Sequence, residues 1–176
     1  ELSVPPDFRL KTVVFSHGWF DLPPFVWSAE TGVLTTVVRL DDAVAAIAIS
    51  QVSKSLRIDV EVSGRWTQSR QRGLLDAVSR MLGLGVDVAE FYRIAGTGYG
   101  WAKRLGAGRM LRGGSVFEDA VKMLATTNCS WSLTRIMGGR LVEELGEPAG
   151  NGRRAFPTPQ AMAGRQTRFY RDRIRA

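Results

Sequence analysis

The sequence predicts an α+β fold, with a small antiparallel sheet carrying a helix first and a basic helical segment after it. Three observations predict this. Residues 33–62 hold three runs of strand chemistry joined by short polar links. From Ser69 onward apolar residues recur at helical spacing. The positive charge is confined to the second part of the chain.

Val33 to Leu40 is a β-branched run behind the turn pair Thr31-Gly32. Ala43 to Ser50 is a second apolar run, and Leu56 to Val62 alternates apolar and polar with period two. The connections, Asp41-Asp42 and Gln51 to Ser55, suit antiparallel neighbours, so the three runs are expected in one sheet. Leu10 to Phe15 fits a strand or a short helix equally. Leu74, Leu75, Val78, Met81 and Leu82 mark a helix that Gly83 can end, and Val88 to Ile94 continues helically. A glycine-rich stretch, Gly96 to Gly108, reads as a flexible connector. Ser115 with Glu118 three residues on predicts a capping box and a helix to about Thr127. Trp131 to Leu145 predicts another, with Ile136, Leu141 and Leu145 apolar and Gly146 as its stop. Glu147 to Ala155 is loop, and Thr158-Pro159 opens a short helix. The expected units are 1–95 (sheet plus helix), 96–114 (connector) and 115–176 (helices).

A chain of 176 residues, 44% hydrophobic and 23% charged, matches ordinary globular proteins and can bury a useful core. No run approaches the length of a membrane span, and Glu1-Leu2-Ser3 is no secretion leader. The missing initiator Met is consistent with a trimmed start. One cysteine, Cys129, and one histidine, His17, exclude an intrachain disulfide and a Cys-based zinc site, and point to a reducing compartment. Residues 1–100 hold ten Lys/Arg against eleven Asp/Glu, while 101–176 hold fourteen against six, a net of +8. Such a concentration favours a polyanionic partner through counterion release, or else solubilises an Arg-rich surface.

Several motifs have plain readings. Gly96-Thr97-Gly98-Tyr99-Gly100 fits neither a P-loop nor a dinucleotide fingerprint. Leu82-Gly83-Leu84-Gly85 resembles a phosphate-holding hairpin, but Asp87 and Glu90 follow it, so a helix-ending turn is the better account. A lone His17 reads as a hydrogen-bonded structural residue. The informative stretch is Phe117 to Arg135, where a helix delivers Thr126, Thr127 and Asn128 into a turn before Trp131. An Asn there can fill the hole left by an extruded nucleotide, or it can simply cap a turn with Ser130. Trp131 is assigned to packing between helices, with base contact as the alternative. Glu118 and Asp119 read as first-turn acids favoured by the helix dipole.

Gly108-Arg109-Met110-Leu111-Arg112, Phe117-Glu118, Thr126 to Trp131 and Phe156-Pro157-Thr158-Pro159 together resemble the N-terminal half of the helix-hairpin-helix–GPD superfamily of DNA glycosylases, of the 8-oxoguanine and 3-methyladenine types. Phe15 to Phe20 with Trp27 is similar to further bacterial and plant members. The resemblance spans roughly residues 10–176 and lies in order and spacing. It implies a TATA-binding-protein-like antiparallel domain followed by an incomplete all-α glycosylase domain, and damaged double-stranded DNA as partner. It implies flipping of a base and cleavage of its glycosidic bond, with no cofactor and no metal. By position Asn128 matches the gap-filling Asn, and Thr127, Ser130 and Arg112 accompany it as DNA contacts. Leu133 stands where 8-oxoguanine enzymes carry an Arg that reads the opposing cytosine, which leans the specificity toward alkylated bases or an undefined lesion. The family's Leu-Pro-Gly-x-Gly hairpin and catalytic Asp have no counterpart here, so no catalytic residue is assigned and the chain is expected to be cut short. The partner expectation is a monomer, or a chain paired with its missing C-terminal half, and the location cytoplasmic, at the nucleoid in a bacterium. Two other classes stay open: a non-catalytic nucleic-acid-binding module, and a small-molecule enzyme or interaction domain with an incidental basic surface.

Overall fold

Alternation of apolar and polar residues puts one side of a strand in the core, and in this chain it builds a five-stranded sheet. The computed structural model describes residues 1–175. Strands β1 (Leu2–Ser3), β2 (Val26–Ser28), β3 (Val33–Arg39), β4 (Val44–Val52) and β5 (Ser55–Val62) pair antiparallel in the order β1-β5-β4-β3-β2. The three expected strands are the three central ones. The register sets Leu34 opposite Ile49 and Ile49 opposite Ile58, and these face α1 (Leu10–Val14) and α2 (Gln68–Met81). Phe8, Leu10, Val14, Leu34, Ile49, Leu56, Leu74 and Val78 form that core.

The ambiguous run at Leu10 is thus helical. Gly83 ends α2 as expected: its φ is +63°, Leu84 N–H donates to Ser79 O and Gly83 N–H to Arg80 O, which together satisfy two carbonyls of the last turn.

The opposite face of the sheet is covered by a piece of the second segment. Pro148 bridges to Arg154, and Ala149 and Ala155 bury against Val37, Val44 and Ala46. Arg153 reaches Thr35 Oγ1 at 2.7 Å and Pro24 O at 3.0 Å, and Arg39 pairs with Glu147. The loop of residues 147–155 is therefore a clasp on the sheet.

Six helices follow the sheet and α2: α3 (Ala89–Ala95), α4 (Gly100–Leu105), α5 (Val116–Ala125), α6 (Trp131–Leu145), α7 (Pro159–Ala163) and α8 (Thr167–Phe169), the last running into a π-helical turn, Tyr170–Ile174. The glycine-rich stretch differs from a bare connector, since it contains α4 and is tied down along its length. Thr12 Oγ1 donates to Leu105 O, Arg109 pairs with Asp7, and Leu111 N–H donates to Ser16 Oγ. At Gly106, with φ +68°, a Cβ would lie 2.1 Å from Asp7 O, so only glycine allows this approach.

Helix α6 keeps the expected bounds, but its buried stripe is Thr134, Met137, Gly138, Leu141 and Val142, while Ile136 is 41% exposed. Together with Phe156 and Ile174 this stripe forms a second core. No helix among the described residues is long and apolar enough to cross a membrane.

Candidate nucleic-acid interface

Helix α5 has two very different ends. At its start Ser115 caps Glu118 N–H, as the capping box requires. The Glu118 carboxylate, however, takes Gly114 N–H at 2.9 Å and Lys122 Nζ at 2.6 Å instead of closing on Ser115. Both partners of that ion pair are buried, at 5% and 2% side-chain exposure. Burial pushes the Lys122 ammonium below its ordinary pKa, and the charge of Glu118 offsets this only in part. Phe25 and Phe156 lend their ring faces to the same ammonium, at 4.7 and 5.7 Å. Asp119 accepts Trp19 Nε1–H at 2.6 Å and Gly113 N–H at 2.7 Å. The two acids do lie in the first turn, where the dipole favours them, and they also hold the 113–114 backbone.

Trp19 belongs to a short 3₁₀ strap, Gly18–Asp21, between the two parts of the molecule. His17 caps it through Nδ1 and lies 2.6 Å from Leu111 O through Nε2, the satisfied structural role expected of it. Trp131 packs on Gly18 of this strap, and its indole N–H donates to Asp21 at 2.8 Å. It therefore joins α6 to the strap, itself a short 3₁₀ helix. Asp21 also receives Arg135 at 3.3 Å. Neither Trp19 nor Asp21 stood out in the sequence, because their partners are 100 and 110 residues away.

The far end of α5 is open. Thr126 and Thr127 turn their hydroxyls back on Met123 O and Leu124 O, both at 2.7 Å. Ser130 caps α6 by accepting from Leu133 N–H, and its hydroxyl meets that of Ser132. Asn128 stands between them at φ +55°, a left-handed conformation that Asn tolerates better than most residues. It is exposed, and its side chain makes no hydrogen bond among the described residues. Beside it opens an apolar hollow of about 570 Å³ walled by Val121, Leu124, Leu133, Met137, Met162 and Ile174.

Thr127, Asn128 and Ser130 thus share one exposed turn. Arg112 does not join them. It precedes α5, with its backbone N–H held by Met81 O, about 15 Å away along ten helical residues. Its side chain is exposed. The positive field is also thinner in reach than its count: Arg109 and Lys122 are buried, and Arg153 and Arg154 are tied into the clasp. Among the described residues no cluster of His, Cys, Asp and Glu is placed to hold a metal ion.

No family model matches the sequence, and no curated protein matches it either. Solved structures do, and they share one fold. A 3-methyladenine DNA glycosylase from Archaeoglobus fulgidus superposes with a TM-score of 0.72 at 21% identity, over 92% of this chain and 57% of its own. The structure of MBOgg1 in complex with a low-affinity DNA ligand gives 0.70 at 19% identity, over 97% and 54%. The Clostridium acetobutylicum 8-oxoguanine glycosylase/lyase, in complex with double-stranded DNA containing cytosine opposite 8-oxoG, gives 0.65 at 14%, over 92% and 52%. The chain therefore has the fold of DNA glycosylase structures and spans little more than half of their length.

Proposed function

We propose that the protein is the DNA-binding part of a base-excision repair glycosylase of the helix-hairpin-helix–GPD type, which flips a damaged base out of duplex DNA and hydrolyses its N-glycosidic bond. The observation that carries this reading is Asn128: an exposed carboxamide on a left-handed residue of the turn between α5 and α6, in a fold shared with solved DNA glycosylase structures. Extruding a base loses a few kcal/mol of stacking and pairing, so a group that refills the gap is needed. Thr127 and Ser130 flank Asn128 on the turn, where a hydroxyl can donate its O–H to a backbone phosphate oxygen. Arg112 would meet the duplex at the other end of α5.

The departing base leaves oxocarbenium character on the sugar, which a carboxylate stabilises. Glu118 and Asp119 are already committed to Lys122, Trp19 and the 113–114 backbone. The acid, together with the hairpin, would come from sequence corresponding to the other half of the glycosylase structures, seated on the apolar hollow beside Asn128. The chain alone is then inactive. Leu133 faces that hollow, so it supplies no cytosine-reading guanidinium, and the preferred lesion is an alkylated or other damaged base. Such an enzyme works where the chromosome is, in the cytoplasm of a bacterium.

The commitment of both acids to structure equally favours the second reading, a non-catalytic nucleic-acid-binding module. The complete protein, incubated with a panel of damaged oligonucleotides and scored for abasic sites, separates the two. Excision is expected, and Asn128→Ala should lower it more than it lowers affinity for undamaged duplex. Equal losses in both remove the gap-filling role. A duplex affinity that ignores salt removes both readings.

A further inference from the structure

Strand β5 is paired along its whole length on one side and only at its start on the other. β4 lies against it from Ser55 to Val62, whereas β1 reaches no further than Leu56, opposite Leu2. Val4 N–H donates to Lys54 O at 3.1 Å in the same register. In an antiparallel ladder, residues that exchange hydrogen bonds with a given neighbour alternate with residues that do not. Lys54 turns its backbone toward β1, so Leu56, Ile58, Val60 and Val62 turn theirs to that side as well. Past Leu56 no strand among the described residues lies there. Ile58, Val60 and Val62 therefore each present a free donor and acceptor, along an edge of roughly 20 Å.

The side chains repeat the contrast. Leu56, covered by Leu2, is fully buried, while Ile58, Val60 and Val62 on the same face are half-buried. They floor a groove of about 630 Å³ between the open edge and α2, walled by Trp66, Leu74 and Leu75. Trp66 is 41% exposed. The charged side chains lining this groove are Glu1, Asp59 and Glu61, all acidic, in a chain whose net charge is +7. Arg57 meets Asp59 at 3.1 Å, but both are more than half exposed, and such a pair holds weakly.

A bare strand edge over an apolar floor suits an extended polypeptide, which completes the ladder and packs alternate side chains beneath it. We propose that this edge docks a partner protein by strand addition, through an extended segment in which apolar and basic residues alternate. The apolar side chains fill the groove beside Ile58, Val60 and Val62, and the Lys or Arg side chains lie across from Asp59 and Glu61. A second copy of β5 fits poorly: in an antiparallel pairing centred on Val60, Asp59 would face Glu61. Nucleic acid offers no ladder and would meet the same carboxylates. The edge lies across the sheet from β2, which adjoins the strap and α6, so a partner held there leaves the Asn128 turn uncovered. Such docking is independent of the DNA reading.

The test gives the complete protein two capped hexapeptide probes, one alternating valine with lysine and one alternating valine with glutamate, and follows amide hydrogen exchange by NMR. With the lysine probe the Ile58, Val60 and Val62 amides should slow by about tenfold or more. Those of Arg57, Asp59 and Glu61, already turned to β4, should not change. The lysine probe should bind about tenfold more tightly than the glutamate probe, and Asp59→Lys with Glu61→Lys, both exposed, should reverse that order. Val60→Pro, which deletes the central outward N–H on an edge that tolerates proline, should abolish binding of either probe. If the proline variant unfolds, the charge reversal decides alone. No slowing at those three amides overturns the proposal, as does equal binding of the two probes. Slow exchange at the three amides before any probe is added means that the edge is already taken, by a second copy if the protection fades on dilution and by the protein's own chain if it does not. Either result overturns the proposal.

Discussion

The two ends of α5 hold similar amounts of polar chemistry and put it to opposite use. At the first end Glu118, Asp119 and Lys122 are drawn in, and their charged atoms meet Gly113, Gly114, Trp19 and one another. At the second end Asn128 points out, unpartnered, from a strained turn. Buried polar groups that find every partner fix one packing of helix on sheet. An exposed one in a left-handed turn leaves its carboxamide free for a contact outside the chain. On the proposed reading charge alone does not mark function in this chain: its buried ionic cluster is a rivet, and its candidate contact is an uncharged amide.

The contrast breaks first if the rivet proves soft. Lys122→Met leaves the Glu118 carboxylate buried without its counter-charge, which should destabilise the protein by about 3–5 kcal/mol in urea unfolding. Glu118→Gln with Lys122→Met should recover a large part of that, because the Gly114 N–H keeps an acceptor and no lone charge stays inside. A single variant within about 1 kcal/mol of the parent would mean that water reaches the pair.

A second buried cation, the Arg109 guanidinium, sharpens the same point. Arg109 is 3% exposed and meets Asp7 at 2.8 Å, 102 residues away, which fastens the glycine-rich stretch to the start of the chain. Burial raises the Asp7 pKa, but the Arg109 hydrogen bond, then its own backbone, the Arg109 charge and Tyr92, together outweigh it and hold the carboxyl below its ordinary 3.8. A depressed folded value means that the stabilisation is complete above the ordinary value and is lost as pH falls through the folded one. Asp7→Asn should therefore lose about 2 kcal/mol at neutral pH, with the gap to the parent closing as the solution is acidified below the ordinary carboxylate range. A gap that persists in strong acid would assign the effect to shape instead of charge.

Much of the frame was legible because it obeys short-range rules. The period-two run at Leu56 to Val62, the glycine after α2 and the Ser–x–x–Glu before α5 each specify an element within a few residues, and each is found. The edge strands Leu2–Ser3 and Val26–Ser28 are too short for a period to show. Helix α4 hid among glycines because its support comes from Thr12, far away in the chain. The clasp hid for the same reason: Arg153 reads as surface charge until the sheet it lies on is known. Within the site the Thr127 to Ser130 turn could be found, since it is local. The strap that positions α6 could not, since Asp21 acquires its role only when Trp131 arrives from 110 residues on.

The smallest effect is the most discriminating, because at residue 128 conformation and chemistry can be separated. At φ +55° a Cβ is disfavoured, so Asn128→Ala should lower stability by about 1 kcal/mol, while Asn128→Gly should leave it unchanged or slightly raised. Both variants delete the carboxamide. If the amide is what enters a gapped duplex, both should lose preference for a duplex holding an abasic analogue over an intact one, by a similar factor, although their unfolding midpoints differ in order. Recovery of that preference in the glycine variant would make residue 128 a hinge of the turn, and the contrast between the two ends of α5 would then be one of geometry alone.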